Sequence, residues 1–180
     1  PVVKTVVIDF ETYYRSAKRG EAKYSLKHMT TEEYINDERF EVLGCGIKLD
    51  DSETEFVCGD AVGPRLAEIA WSDRILIAHN MIFDGSILAW RYKQPAPRLY
   101  VDTLSLARLL DGVVGGTKHS LAACSERYEL GEKGTELLNT DGKRLEDFDE
   151  ESLSSLGKYC INDVDLTYGL FKCYMDVLNG

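Results

Sequence analysis

Long apolar runs are missing from this chain of 180 residues. Nothing approaches the roughly 18–20 uninterrupted apolar residues that a membrane helix needs, and the opening PVVKTVVIDFET meets charge too early for a secretory signal. The expectation is a soluble, cytoplasmic protein. Cysteine pairs in CxxC spacing are missing too. Cys45, Cys58, Cys124, Cys160 and Cys173 are an odd number spread along the chain, which reads as reduced, mostly buried thiols and not as a disulfide framework or a zinc site. Histidine is scarce, with only His28, His79 and His119, so metal chemistry would lean on carboxylates, which favour hard ions such as Mg2+ or Mn2+. Basic charge is outweighed, 21 Lys plus Arg against 31 Asp plus Glu, for a formal net charge of −10. That balance speaks against gripping duplex DNA by its phosphates. It leaves room for an enzyme that holds a short strand end locally, with metal cations as its positive charges and a neighbouring domain for most of its affinity.

What is present suffices for one globular core: 44% hydrophobic residues and 10% aromatics predict a single domain over residues 1–180. Residues 2–10 are apolar and β-branched until their acids and predict a buried strand. EVLGCGIKL and TEFVCG, separated by residues 50–52, predict a hairpin. A helix is expected over 62–71, then a short buried strand, RILIA, over 74–78. Asn80 is placed as the N-cap of a helix over 81–92. A brief strand over 99–101 leads to a helix that Asp102 caps and that runs to Leu110. Residues 111–116 and 130–151 read as loops. Leu156, Cys160, Val164, Thr167, Phe171, Tyr174 and Leu178 follow steps of four and three, the pattern of one long amphipathic helix over 152–178. Three strands followed by alternating helices and strands predict an α/β fold, a mixed sheet with helices packed on it.

Strand alternation puts Asp9 and Glu11 on one side of the first strand and Ile8 and Phe10 on the other. Two like charges forced together at the end of an apolar strand repel one another unless a cation sits between them. For this pair alone, a metal site and a plain solvated strand end stand level. Asp84 falls on the first turn of a helix, where the dipole favours an acid without further function; Phe83 beside it can anchor the turn, and Asn80 can offer its amide to a substrate. Tyr159 and Asp163, four apart, share one face of the last helix at the rim of its apolar stripe. Asp165, six residues from Tyr159, falls about 120° round the helix and is expected to face solvent.

In order and spacing, IDFET at 8–12, HNMIFD at 79–84 and YCINDVDLT at 159–167 resemble the three motifs of the DEDD (DnaQ-like) superfamily of 3′–5′ exonucleases. The form Y-x-x-x-D is similar to the tyrosine (DEDDy) branch; the position where a histidine branch would carry His is Lys158. VDTLSLARLL and KHSLAA look like the helices between the second and third motifs. YSLKHMTTEEYI and RFEVLGCGIK resemble, more loosely, the proofreading exonuclease domain of bacteriophage family A DNA polymerases. Residues 130–151 match nothing in that pattern.

The resemblance implies a ribonuclease-H-like mixed sheet of about five strands. It also implies metal-dependent release of 5′-mononucleotides from the 3′ end of single-stranded DNA, for polymerase proofreading. Asp9 would bridge two divalent cations, Mg2+ or Mn2+; Glu11 and Asp163 would complete the ion that carries the attacking water, and Asp84 would hold the other. Two such cations deprotonate the water and shield its approach to an anionic phosphodiester. A tyrosine is ordinarily a phenol at neutral pH, so Tyr159 would orient that water. Thr12, Asn80 and Phe83 would meet substrate. So would Arg15 and Tyr24, from a stretch in which Arg15, Lys18, Arg19, Lys23 and Lys27 face the single acid Glu21, with tyrosines interleaved for stacking; a merely solvated loop is an equal reading of that stretch. Thr30 with Glu33 fits a capping box. The partner would be a DNA polymerase domain, covalent or separate. The alternatives are a 3′–5′ exoribonuclease of the same superfamily and an inactive ribonuclease-H-like docking module.

Overall fold

Burial on both faces is what the apolar run at the start of the chain demands, and strand β1 (Lys4–Thr12) has it from Thr5 to Ile8. The computed structural model describes residues 3–16, 23–112, 116–132, 134 and 140–180. On one side β1 pairs antiparallel with β2 (Val42–Leu49), which turns back into β3 (Glu55–Cys58) as the expected hairpin. On the other it pairs parallel with β4 (Arg74–Ala78), which pairs parallel with β5 (Leu99–Asp102). The result is a mixed five-stranded sheet in the order β3-β2-β1-β4-β5.

Among the described residues six α-helices clothe it: α1 (Thr31–Asn36), α2 (Val62–Ala67), α3 (Met81–Ser86), α4 (Thr103–Leu110), α5 (Leu121–Arg127) and α6 (Glu150–Asn179). Side chains of β1 alternate between two cores. Ile8 and Phe10 join Tyr34, Ile35, Leu66 and Ile87 from α1, α2 and the turn after α3. Val7 joins Ile77 of β4 and Val164 and Tyr168 of α6. The far half of α6, with Leu166, Leu170 and Tyr174, carries α4 and α5 through Ala107, Leu121 and Cys124. No helix among the described residues is long and apolar enough to cross a membrane.

Several expectations shift. β1 continues through its acids to Thr12, because β2 keeps pairing with them, and Val2 lies outside the described residues. The helix expected over 62–71 stops at Ala67, and a 3-10 turn, Trp71–Asp73, follows; the one expected over 81–92 is α3 continued by a π-helical turn, Ile87–Arg91. Asn80 takes the N-cap position of α3 in the left-handed region, φ 82°, without a side-chain cap. The cap comes instead from Asp102, whose Oδ1 accepts from the backbone N of Asn80 (2.9 Å) and Met81 (3.2 Å) as well as from Leu104 N (3.1 Å) of its own helix. One carboxylate thus fixes two helix starts. The capping box of α1 forms as expected: Glu33 N donates to Thr30 Oγ1 at 3.2 Å and Thr30 N to Glu33 Oε2 at 2.8 Å.

Of residues 130–151, the last two already belong to α6, capped by Asp149, and Leu145–Asp147 form a 3-10 turn. Asp141 Oδ1 accepts from Ser16 N at 2.8 Å, Gly142 N donates to Tyr14 O at 2.8 Å, and Leu145 N donates to Glu41 Oε1 at 2.8 Å. This stretch is therefore bound to the backbone that continues β1.

Candidate active site

The register of β1 on β2 sets Asp9 opposite Gly46 and Glu11 opposite Gly44, with a shift between Glu11 and Thr12. By alternation Asp9 and Glu11 lie on the face of Val7, the face α6 covers. Gly46 is what lets α6 come that near. A Cβ built there would lie 2.7 Å from Val164 Cγ2 and 2.9 Å from Cys160 Sγ, so any side chain would push the helix away. With glycine in place, Cys160 Sγ comes within 3.4 Å of Asp9 O and 3.8 Å of Asp9 Oδ2.

Asp84 reaches the same place from the first turn of α3. It is 2% exposed, and its Oδ1 accepts from the backbone N of Phe10 at 3.0 Å, which ties it to β1 between Asp9 and Glu11. Burial first, then the charge of Asp9, with Glu11 a smaller contributor, raises its carboxyl well above the usual carboxylate range. Burial also raises the thiol of Cys160, aided by Asp9 and Glu11, and that of Cys45, aided by Asp84 and then Asp9. Asp163 is 4% exposed on α6, one turn beyond the half-buried Tyr159, whose Cδ2 would lie 3.4 Å from a Cβ built on Gly134. Asn162 Nδ2 donates to Glu132 O at 3.2 Å, so residues 130–134, where described, run beside this part of α6.

Chemically, the carboxylates of this cluster suit a hard cation. The ligand-capable atoms of Asp9, Glu11 and Cys160 lie within 4.8 Å of one another, Asp84 adds a third carboxylate held by Phe10 N, and carboxylate oxygens are the donors Mg2+ and Mn2+ prefer. A cation would also relieve the repulsion that acts on Asp84.

The expected substrate residues fare unequally. Thr12 Oγ1 lies 2.9 Å from the Tyr34 hydroxyl. Phe83 is half-buried, its ring 6.0 Å from that of Tyr34. Asn80 and Arg15 are exposed. Tyr24 must be corrected: it is 0% exposed, stacked between Tyr13 at 5.7 Å and Tyr34 at 4.5 Å. Its hydroxyl donates to Tyr34 O at 2.8 Å, so neither face can receive a base. Of its basic neighbours, Lys23 and Lys27 are exposed, while Lys18, Arg19 and Glu21 lie outside the described residues. Asp165 is exposed as expected, held by Lys48 Nζ at 3.1 Å and Thr54 Oγ1 at 2.5 Å. What sequence reasoning missed is Cys160 beside Asp9; Gly46 in VLGCGIKL, which opens the sheet to α6, was its only signal.

No family model matches this chain, and no curated protein does. Solved structures do. A nuclease in its apo form matches with a TM-score of 0.66 at 15% identity, over 96% of this chain and 72% of its own. NrnC of Brucella melitensis matches at 16% identity over 98% of this chain and 74% of its own, with a TM-score of 0.64 when bound to Mg2+ and 0.67 when bound to pGG. The family B DNA polymerase of Pyrobaculum calidifontis matches with a TM-score of 0.64 at 17% identity, over 97% of this chain and 25% of the polymerase. The chain therefore has the ribonuclease-H-like α/β fold of these nucleases.

Proposed function

We propose that this chain is a metal-dependent 3′–5′ exonuclease that removes 5′-mononucleotides from the 3′ end of single-stranded DNA, in the service of polymerase proofreading. The observation that carries the reading is the junction of Asp84 with β1: a buried carboxylate bonded to Phe10 N between Asp9 and Glu11. Such a concentration of negative charge costs stability unless it serves a cation.

Asp9, Glu11, Asp84 and Asp163 would hold two divalent cations, Mg2+ or Mn2+. Bound there, the cations lower the pKa of the attacking water and stabilise charge on the phosphoryl oxygens. Phe10 N fixes the orientation of Asp84. Gly46 sets how near α6, and with it Asp163 and Tyr159, stands to β1. The Tyr159 phenol orients the nucleophile. Thr12, Asn80, Phe83 and Arg15 are the candidates for contact with the strand end. The resemblance of motif to the tyrosine branch and the likeness of fold to the polymerase support a proofreading role, with the polymerase domain in the same chain or another.

A second reading, a 3′–5′ exoribonuclease, is favoured by NrnC, which shares the fold and was solved bound to pGG. The metal site is indifferent to a 2′-hydroxyl unless a side chain reads it. The test is incubation with 5′-labelled single-stranded DNA and RNA of one sequence, with Mg2+, Mn2+ or chelator. A ladder that shortens from the 3′ end, needs metal and vanishes in Asp9→Ala supports the proposal. Activity that survives chelation or Asp9→Ala sinks it, and faster decay of RNA moves the substrate to the second reading.

A further inference from the structure

We infer that Asp9, Glu11 and Cys160 form a second binding mode of this centre, one that captures a thiophilic divalent cation such as Zn2+ and thereby blocks it. Only the blocking rests on the proposed hydrolytic function; the capture rests on the three donors.

Hard cations take oxygen ligands, and Cys160 has nothing to offer them. Zn2+ binds thiolate at about 2.3 Å and carboxylate oxygen at about 2.0–2.2 Å in tetrahedral sites. Those lengths and that angle put sulfur and oxygen about 3.6 Å apart, and Cys160 Sγ stands 3.8 Å from Asp9 Oδ2. The third donor needs little more, since all three ligand-capable atoms lie within 4.8 Å of one another and a carboxylate can swing on its own torsions. The sulfur is held in place: Cys160 is fully buried and Gly46 backs it without a side chain. Little rotamer freedom is therefore lost on binding. Two carboxylates and a thiolate leave a fourth position for water or a nucleotide oxygen, as in open zinc sites. As sulfur binds the cation, the thiol proton passes to solvent, one per site. Affinity along the first-row series favours Zn2+ over Mn2+, so a small amount of Zn2+ would take Asp9 and Glu11 from the activating ion.

Cd2+ alone is the probe, because cadmium bound to thiolate absorbs in the ultraviolet by charge transfer from sulfur. Titration of the whole chain should give a band that saturates at one equivalent. The band should vanish in Cys160→Ser and need at least about tenfold more Cd2+ in Asp9→Asn, while Cys160→Ser should still gain thermal stability from Mg2+. A band of undiminished size in Cys160→Ser, or no band in the parent chain, overturns the inference. Should Cys160→Ser fail to fold, Cys160→Ala and Asp9→Asn carry the same test. Where hydrolysis is measurable, the Zn2+ needed for half inhibition of the Mg2+-supported reaction should rise about tenfold in Cys160→Ala, and an unchanged value overturns the inference. A chain that shows the Cys160-dependent band yet hydrolyses nothing refutes the proposed function and leaves the cation site standing.

Discussion

Replacing Asp84 by Asn tests whether this carboxylate is present for a cation or for its helix. The amide keeps an oxygen where Oδ1 accepts from Phe10 N at 3.0 Å and nearly keeps the shape, but removes a charge that burial, Asp9 and Glu11 all oppose. In chelator, therefore, Asp84→Asn should melt no lower than the parent. Metal should separate the two. A cation at 100 times its dissociation constant stabilises a protein by about 2.7 kcal/mol, which at about 2–4 °C per kcal/mol for a chain of this length is a rise of roughly 5–11 °C. If the lost ligand weakens the site by about 100-fold, the same cation concentration yields only about 0.4 kcal/mol, or roughly 1–2 °C. Thermal melts of both proteins in chelator, Mg2+ and Mn2+ decide the matter. An Asp84→Asn protein that melts several degrees lower in chelator and keeps the full metal increment would refute the reasoning, and Asp84 would be an ordinary acid at a helix start.

Three further substitutions probe how the site is built. Gly46→Ala puts a Cβ 2.7 Å from Val164 Cγ2 and 3.3 Å from Cys160 O, which should cost about 1–3 kcal/mol and shrink the Mg2+ increment as α6 shifts; melts in chelator and Mg2+ read both effects. Tyr159→Phe should slow single-turnover hydrolysis less than Asp9→Ala does and leave the metal increment intact, since it removes a hydroxyl and no ligand; equal loss in the two variants would make the phenol indispensable. Tyr24→Phe deletes the buried bond to Tyr34 O and should cost about 0.5–1.5 kcal/mol in denaturant melts, with single-strand affinity by fluorescence anisotropy unchanged; a marked fall in affinity would restore Tyr24 to the substrate surface.

Local patterns in this chain forecast what local forces decide. The apolar opening of β1, the stripe from Leu156 to Tyr174 and the Thr30–Glu33 box each carry their determinant within a few residues, and each forms, whereas Leu178, expected to end that stripe, is exposed. What escaped depends on partners distant in sequence. Asn80 looks like a cap because it precedes a helix, yet Asp102, 22 residues on, accepts its N–H and leaves it in a left-handed turn. Tyr24 sits in a basic stretch and looks like a stacking platform. Its backbone pairs with Arg15 instead, and that bridge rolls the ring inward between Tyr13 and Tyr34. The candidate site divides along the same line. Strand alternation suffices to pair Asp9 with Glu11, but the arrival of Cys160 at 3.8 Å from Asp9 Oδ2 is set by the space above Gly46, a residue with no side chain to announce itself. The charge balance then takes on a local meaning. A chain of net charge −10 that buries Asp84 beside β1 has little to attract a phosphate until cations are bound. Affinity for a strand end should accordingly depend on divalent metal far more steeply than on the few exposed basic residues near Arg15.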